Sequence, residues 1–476
     1  MNPNEFREMG HEVIDLLADY FEHVEETPLY PKVEPETLTR MFREPLPQDG
    51  LSGEQVLAEL HEKLFPYCAQ INHPGYFGFI TPTPTPVGVI GDLIASALNQ
   101  NVGVWPSAPS ATAMERQTVR WLTDLIGYDH RAGGNLTSGG TTANFIALKL
   151  ARDWVSKDSA QHWGLSGPWA AYTSEERHIS VDKATDAVGF GRDMLRVLPT
   201  DDRFRIRLDA LTAAINADRD KGIQPGCIIA AGGSTNNGTV DDLRALRAIA
   251  DKEGLWLHVD AAYGGGMLLS QQHPGVLDGI ELADSVTLDP HKWFFAPLDA
   301  GAILVKDESR LTASFGMRPP YLAGQEQPSE ARHDYYVHGF EQSRRFRSLK
   351  VWMAFKRYGA RQIGQWVDAN VGHVRRLHKL ATAHPDFEAA TFPLMSAICI
   401  RYCPSGLDES RAAALHTHVA QRVEQSGRFW FSTTQMKGHA WFRINPVNFR
   451  TRIEHIDELF DMLCTECRLA NSAVRA

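Results

Sequence analysis

The sequence has few cysteines, and their positions suggest no special use. Six cysteines are scattered over 476 residues, which does not indicate the disulfide framework of a small secreted domain. Cys464 and Cys467 have the spacing of a redox or metal motif, but they end a helical pattern that has no second pair nearby. We therefore expect ordinary thiols there, and no metal site.

The sequence also lacks long apolar runs, a signal-peptide pattern and an excess of basic residues. No apolar run is long enough to span a bilayer, and the first residues lack the charged and then apolar pattern of a secretory signal. The formal net charge of -10 argues against nucleic acid as a partner, because phosphate binding needs a basic surface. We therefore expect a cytoplasmic protein with no membrane or nucleic-acid partner.

Hydrophobic periodicity divides the chain into three predicted parts. Residues 1–84 open with an amphipathic helix and continue through a proline-rich stretch. Residues 85–360 alternate strand and helix patterns, which indicates an α/β domain with a mainly parallel sheet. Residues 361–476 mix helices with short strands, as is typical of a smaller α+β domain. The clearest strand patterns of the middle part cover residues 227–231, 255–259, 285–288 and 302–305.

The most informative stretch surrounds Lys292. A strand pattern ends at Asp289, and Lys292 follows among aromatic and apolar neighbours. Desolvation turns a lysine into an amine nucleophile that can condense with a carbonyl group. A second buried strand pattern ends upstream at Asp260. A covalently bound lysine and a carboxylate that faces a pyridinium nitrogen are the protein groups that pyridoxal phosphate (PLP) chemistry needs. A surface lysine and a turn-capping aspartate are the plainer alternatives, and the aromatic neighbours disfavour the first.

Two further signals agree with a PLP site, although each is weak alone. Residues 138–142 (Ser-Gly-Gly-Thr-Thr) precede a helix, where small residues and backbone N–H groups can bind a phosphate. An ordinary glycine-rich turn with a threonine cap is equally consistent with that pattern. His178 follows a strand-like segment; it is either a structural histidine or an imidazole that stacks on a cofactor ring and shuttles protons.

Three segments resemble the group II PLP-dependent decarboxylases, and among these the aromatic L-amino acid decarboxylases. They are residues 289–293 (Asp-Pro-His-Lys-Trp), 258–263 (His-Val-Asp-Ala-Ala-Tyr) and 344–350 (Arg-Arg-Phe-Arg-Ser-Leu-Lys). The likeness extends from the N-terminal helix to Ile444. It implies a homodimer of the aspartate-aminotransferase-like fold type I, with active sites at the subunit interface. It also implies that the first helix packs on the partner chain.

The resemblance assigns roles to individual residues. Lys292 would hold PLP covalently, Asp260 would pair with the pyridine N–H, and His178 would stack on the ring. Tyr321 matches the tyrosine that protonates the substrate carbon. The other implied cofactor-binding residues are Gly140, Thr141, Thr235, Ala262, His291 and Ser343 of the partner subunit. The implied substrate pocket consists of Phe79, Ile80, Pro82, Asn101, Gly103, Trp105 and Leu298.

The predicted pocket departs from the animal enzymes of this family, which leaves the substrate open. Gly103 and Leu298 replace larger residues and would free volume for an indole. Asn101 adds an amide that could reach a phenol or an indole N–H, or could serve an acidic or diamino substrate. The apolar lining favours a flat aromatic ring. We therefore expect decarboxylation of an aromatic L-amino acid to its amine.

Three alternatives remain open. They are decarboxylation of an acidic or diamino acid, oxidative aldehyde synthesis on the same scaffold, and a catalytically silent relative. Relatives that lack the tyrosine tend to release an aldehyde, so Tyr321 favours plain decarboxylation. The presence of Lys292, Asp260 and His178 disfavours the silent alternative.

Overall fold

The computed structural model describes residues 1–317, 320 and 332–475. The chain forms two compact units. The larger unit comprises Ile80–Gly372 and Thr391–Ile398; the smaller comprises Met1–Phe79, His373–Ala390 and Cys399–Ala476. The division into residues 1–84, 85–360 and 361–476 stays a prediction.

The helices and strands alternate through the larger unit. In chain order the helices are α1 Pro3–His23, α2 Pro35–Met41, α3 Gly53–Lys63, α4 Pro86–Leu98, α5 Pro109–Ile126, α6 Gly140–Val155, α7 Ala160–Trp163, α8 Ile179–Ala187, α9 Leu208–Asp220, α10 Leu243–Glu253, α11 Ser309–Phe315, α12 Ser348–Ala383, α13 Glu409–Ser426 and α14 Ile453–Arg475. The strands are β1 Gly133–Thr137, β2 Trp169–Ser174, β3 Leu195–Leu198, β4 Gln224–Ala231, β5 Trp256–Asp260, β6 Ser285–Leu288, β7 Gly301–Val305, β8 Phe387–Ala389, β9 Ile398–Tyr402, β10 Ser432–Met436 and β11 His439–Ile444.

The larger unit is built on a seven-stranded sheet with the order β1-β7-β6-β5-β4-β2-β3. The pairs β2–β3, β2–β4, β4–β5 and β5–β6 are parallel, and β7 runs antiparallel to both β6 and β1. The predicted α/β fold with a mainly parallel sheet is confirmed. Strands β4 to β7 lie where their patterns predicted them, to within three residues at each end.

Strand β1 had no clear signal in the sequence because two glycines open it. A side chain at position 133 would lie 2.4 Å from Cδ of Glu308, and one at position 134 would lie 2.2 Å from the backbone oxygen of Ile303. Glycine is needed here because neighbouring atoms approach the backbone closely. The strand is nevertheless buried along its whole length.

Helix α6 packs on this sheet and forms the centre of the larger core. Its buried apolar residues recur at helical spacing: Ala143, Ile146, Ala147, Leu150 and Ala151. The helix begins three residues after β1 ends. Its N-terminus therefore lies at the edge of the sheet where the parallel strands end.

The smaller unit contains an antiparallel sheet with the order β10-β11-β9-β8. Its first helix, α1, starts with a reciprocal cap between Asn2 and Glu5 and contains no fully buried residue. Phe6 and Ile14 expose 61% and 45% of their surface. Within the described part of the chain, no helix is long and apolar enough to cross a membrane.

Candidate active site

Loops from five strands meet at one edge of the large sheet. Strands β2, β4, β5 and β6 run parallel, and β1 points the same way because both β1 and β6 are antiparallel to β7. The carboxyl ends of these strands surround a cavity of about 330 Å³. Its lining comes from segments 138–142, 176–180, 233–235, 260–263 and 289–292. Ligands of open α/β sheets bind at this edge.

Lys292 lies in the turn that follows β6, and its amine faces the cavity. The backbone N–H of Lys292 donates to the backbone oxygen of Asp289 at 2.8 Å, and its Nζ lies 3.1 Å from Asp289 Oδ2. Behind it, Trp293, Phe294 and Phe295 are buried. The aromatic neighbours are therefore part of the core and anchor the backbone of the turn.

Asp289 is a buried carboxylate held between two basic side chains. Besides Lys292 it faces His291, whose Nε2 lies 3.5 Å from Oδ2. The backbone N–H of Ala300 donates to His291 Nδ1 at 2.9 Å, so the proton of the neutral ring sits on Nε2 and points toward Asp289. Burial acts to raise the pKa of Asp289, but Lys292 and His291 outweigh it and hold that pKa below its usual value. The carboxylate is thus ionised, and its Oδ2 faces the Lys292 amine.

Asp260 ends β5, and two donors orient its carboxylate. Asn144 Nδ2 donates to Oδ2 at 2.8 Å, and the backbone N–H of Ala262 donates to Oδ1 at 3.2 Å. Hydrogen bonds from neutral donors to an ionised acceptor are among the stronger ones in proteins. The carboxylate therefore has a fixed direction at the cavity wall.

Asn144, from the first turns of α6, connects Asp260 to the interior of the sheet. Its Oδ1 lies 3.0 Å from His258 Nε2 and accepts the Thr287 hydroxyl at 2.7 Å. Burial lowers the pKa of His258 to about 4, so the ring is neutral and Nε2–H is the donor to Asn144. Ser285 Oγ, 2.9 Å from Nδ1 of the same ring, completes the chain. These partners fix which way the Asn144 amide points.

His178 caps the N-terminus of α8 and presents a neutral ring to the cavity. Its Nδ1 accepts the backbone N–H of Ser180 at 3.2 Å and lies 2.8 Å from that residue's hydroxyl. Burial lowers the pKa of His178, and the nearby Asp260 does not compensate for it. An uncharged imidazole is suited to stacking on an aromatic ring.

The start of α6 forms a cradle of backbone N–H groups. Gly139 has a φ of 153°, in the region that glycine tolerates best, and α6 begins at the next residue. A side chain at Gly301 on β7 would lie 2.5 Å from the Gly139 Cα, so two backbones meet here without room for a Cβ. The unpaired N–H groups and the dipole of a helix N-terminus favour an anion.

These residues fit PLP. The cavity brings a lysine amine, a strand-end carboxylate and a helix N-terminus together, and these suit an aldehyde, a pyridinium nitrogen and a phosphate. The cradle also requires small residues, because a Cβ on Gly140 would lie 2.9 Å from Asp289 Oδ2 and 3.1 Å from the Ala262 Cβ. Bulkier residues would close this end of the cavity.

The structure brings together most of the residues predicted for the cofactor. Eight of them line the cavity: Gly140, Thr141, His178, Thr235, Asp260, Ala262, His291 and Lys292. Ser343 is exposed and does not line it, and neither do the pocket residues Ile80, Pro82, Asn101, Gly103, Trp105 and Leu298. Phe79 belongs to the smaller unit. Tyr321 lies outside the described residues.

Two residues of the predicted pocket make contacts within the larger unit. Asn101 Oδ1 accepts the backbone N–H groups of Gly103 at 3.1 Å and Arg344 at 2.9 Å, so its oxygen shapes a turn, and its contact with a substrate stays a prediction. A side chain at Gly103 would lie 2.3 Å from the backbone oxygen of Gln342. Glycine there permits a close backbone approach, and the expectation that it widens the pocket stays a prediction.

The sequence interpretation missed Asn144 and gave Asp289 no role in the site. Asn144 lies among the apolar residues of the buried face of α6, and a polar residue on such a face needs partners. That position was the available signal. Asp289 stood inside the quoted motif, but only the folded turn shows that its carboxylate faces Lys292.

Fold and cavity together define a class: enzymes that carry out PLP chemistry on a fold type I scaffold. The family model described as "Pyridoxal-dependent decarboxylase conserved domain" matches residues 35–403. The chain belongs to this family of PLP-dependent carboxy-lyases, as its sequence motifs predicted.

Individual relatives are similar to this chain over nearly its whole length. An aromatic-L-amino-acid decarboxylase of Bacillus atrophaeus is 31% identical over 457 residues, which cover 96% of this chain and 94% of the relative. A phenylacetaldehyde synthase of Arabidopsis thaliana is 27% identical over 474 residues, with 98% and 96% covered. The crystal structure of Oryza sativa TDC with PLP and tryptamine has a TM-score of 0.91, 26% identity and 98% coverage of both chains.

Proposed function

We propose that this protein converts an aromatic L-amino acid to the corresponding amine and CO₂. The observation that carries the proposal is the position of Lys292, Asp260 and His178 on one cavity beside the N-terminus of α6. When bound there, PLP supplies the electron sink for the electron pair that departing CO₂ leaves on the substrate Cα. The residues of this chain bind and orient the reactants and move protons.

Lys292 is the proposed covalent attachment point. Its free Nζ amine would take up the proton that the substrate ammonium group must lose, and Asp289 Oδ2 at 3.1 Å would stabilise the resulting ammonium. The Nε2–H group of His291 also faces the Asp289 carboxylate, 3.5 Å from Oδ2. When the product is released, Nζ gives up this proton again.

Asp260 is proposed to hold a proton on the pyridine nitrogen, which keeps the ring a good electron acceptor. Its orientation depends on Asn144, which itself is held by His258 and Thr287. His178 would stack on the ring as a neutral imidazole. Phosphate binding is assigned to Gly140 and Thr141 at the start of α6.

The remaining cofactor contacts and the proton donor are proposed from the family resemblance. Thr235 and Ala262 line the cavity and would lie against the cofactor. Tyr321, outside the described residues, would deliver the proton to Cα after CO₂ departs. Such a proton donor completes the amine, and this step separates decarboxylation from aldehyde formation.

A homodimer is proposed because the site of one chain is incomplete. The six predicted pocket residues of the larger unit do not line the cavity of their own chain, while Leu298 is 61% exposed. Phe6 and Ile14 of α1 are exposed as well, and no residue of α1 is fully buried. A second copy would cover α1 and bring its pocket residues and its Ser343 to the cavity. We also propose a cytoplasmic location, since all six cysteines are free thiols.

The homodimer has a direct test. Replacing Ile14 on α1 with glutamate would bury a charge in the proposed interface and should shift the protein from dimer to monomer in light scattering. The control Glu8→Gln changes an exposed polar residue of the same helix and should leave the dimer intact. A dimer that survives Ile14→Glu would contradict the proposed role of α1.

Oxidative aldehyde formation is the second candidate, because a phenylacetaldehyde synthase is among the relatives. Tyr321 favours the amine product. Incubating the PLP-loaded protein with L-Trp, L-Tyr, L-Phe, L-dopa, L-Glu, L-Asp and 2,4-diaminobutyrate, with product detection by mass spectrometry, separates the candidates. The proposal predicts amines from aromatic substrates and none from Lys292→Ala. Amines from the acidic or diamino substrates alone would overturn the substrate class, and aldehyde with ammonia would overturn the reaction.

A further inference from the structure

A second group of chemically active side chains lies in the larger unit, outside the cavity that holds Lys292. Glu308 lies three residues after β7 and immediately before α11, and His333 and His338 come from the segment that precedes α12. One potential ligand atom from each of the three lies within 4.8 Å of the other two. None of these residues takes part in the proposed decarboxylation.

The two histidine rings have nitrogens that no described residue satisfies. His333 Nε2 and His338 Nδ1 are buried and have no hydrogen-bond partner among the residues that the structure describes. His338 Nδ1 lies 3.7 Å from Glu308 Oε1, too far for a hydrogen bond. Two ligands bound tetrahedrally at about 2.0–2.1 Å from one zinc ion lie about 3.3 Å apart, so a small movement would suffice.

The other atoms of His338 are held as those of a metal ligand usually are. Its Nε2 lies 3.0 Å from the Thr312 hydroxyl, and its backbone oxygen accepts the Asn135 amide at 2.6 Å. Histidines that bind metals typically donate the second ring N–H to such an outer partner, which fixes the tautomer. With Nε2–H donating to Thr312, the lone pair of Nδ1 points to the gap beside Glu308.

We propose that Glu308, His333 and His338 bind one divalent transition-metal ion, with Zn²⁺ as the best match for two imidazoles and a carboxylate. Three protein ligands with an open fourth position form a standard zinc environment. Neutral imidazole is the form that binds metal, and the contact of Nε2 with the Thr312 hydroxyl leaves the Nδ1 lone pair of His338 available for it.

Solvent access favours cation binding at this site, and nearby positive charge opposes it. The side chain of Glu308 is 35% exposed, which leaves a route for the ion from solvent. The positive charges of Arg344 and of Arg116 on α5 lie close to both histidines and oppose a cation. Arg344 is paired with Glu115, so we expect removal of the Arg116 charge to tighten binding.

Isothermal titration of the PLP-loaded, metal-free protein with ZnCl₂ tests the site, with bound metal counted by mass spectrometry after dialysis. We expect about one Zn²⁺ per chain, and a loss in affinity of at least about 100-fold in Glu308→Gln and in the double variant His333→Ala/His338→Ala. Thr312→Val removes an outer partner and should weaken binding by ~10–100-fold. Arg116→Gln should bind more tightly than the wild type.

Two controls distinguish zinc binding at this site from zinc binding by thiols or by exposed imidazoles elsewhere in the chain. Cys464→Ser/Cys467→Ser and the exposed His130→Ala should bind Zn²⁺ as the wild type does. Because Glu308→Gln preserves shape, it keeps the test valid if the double histidine variant fails to fold. Absence of bound Zn²⁺ in the wild type, or equal binding by wild type and Glu308→Gln, would overturn the proposal.

Discussion

At the scale of single residues, Asn144 lies at the centre of the site's hydrogen bonds. Its amide connects the carboxylate of Asp260 to His258 and Thr287, so one side chain sets the direction of the group proposed to hold the ring proton. The hydrogen bond to Asp260 is of the charge-assisted kind, whose loss costs about 1.5–3 kcal/mol.

Replacing Asn144 with alanine should lower kcat by about 10–100-fold, because ~1.4 kcal/mol corresponds to a factor of ten in rate. PLP should still bind, since Lys292 and the cradle are unchanged, and the absorbance of the bound cofactor should change with pH differently from the wild type. Steady-state kinetics and a spectrophotometric pH titration measure both effects. Ser156→Ala, at the C-terminal end of α6, serves as the control. Unchanged kcat in Asn144→Ala would rule out the assigned role.

Residues within motifs could be predicted, and residues that act through geometry could not. Lys292 and Asp260 stand at the ends of strand patterns, where the chain turns at the sheet edge, so pattern and chemistry agree. The partnership of Asp289 with Lys292 depends on the path of one turn. The close approach of the Gln342 backbone to Gly103 could not be predicted either, because the sequence does not show which atoms surround a glycine.

At the scale of elements, the close contact between β7 and the turn before α6 positions the phosphate cradle. A Cβ at position 301 would lie 2.5–2.7 Å from Cα, C and N of Gly139, and backbone atoms cannot rotate away as a side chain can. The geometry of the cradle therefore depends on a residue that touches no cofactor itself.

Gly301→Ala should weaken PLP binding by about tenfold or more, since a displacement of the helix N-terminus removes aligned donors from the phosphate. Equilibrium dialysis against PLP measures the effect. Gly372→Ala, on the exposed side of α12 with no atom within 4 Å, is the control and should bind PLP normally. Equal PLP affinity in the two variants would mean that the contact does not shape the cradle.

The strands that alternation could identify were those rich in β-branched and aliphatic residues. Strands β4 to β7 were predicted, whereas β1 was not, because its two glycines carry no hydrophobic signal. The order of the strands in the sheet could not be predicted either, because pairs such as β1 and β7 join segments more than 150 residues apart. The class of fold followed from the alternation of strands and helices alone.

At the scale of the whole molecule, buried neutral histidines predict sensitivity to acid. Burial lowers the pKa of His73, His258 and His373 to about 4 each, from an ordinary 6.5. Above pH 6.5 neither the folded nor the unfolded chain is protonated at these rings. As the pH falls from 6.5 toward 4, the unfolded chain takes up protons that the folded chain does not, so the free energy of unfolding decreases.

Each such histidine should contribute a slope of up to about 1.4 kcal/mol per pH unit in that window. His373 lies outside the active site, so His373→Gln should make the loss of stability between pH 6.5 and 4 shallower than in the wild type. Urea denaturation at several pH values measures the slope, and the exposed His11→Gln should leave it unchanged. Identical slopes in wild type and His373→Gln would contradict the assignment.

The central claim is that PLP attaches to Lys292 at the carboxyl edge of the large sheet. Reducing the PLP-loaded protein with borohydride makes that attachment permanent, and peptide mapping by mass spectrometry then locates it. We expect the cofactor mass on the peptide that contains Lys292, and no stable label in Lys292→Ala. A label on a different lysine, such as Lys149, would contradict the site and the mechanism built on it.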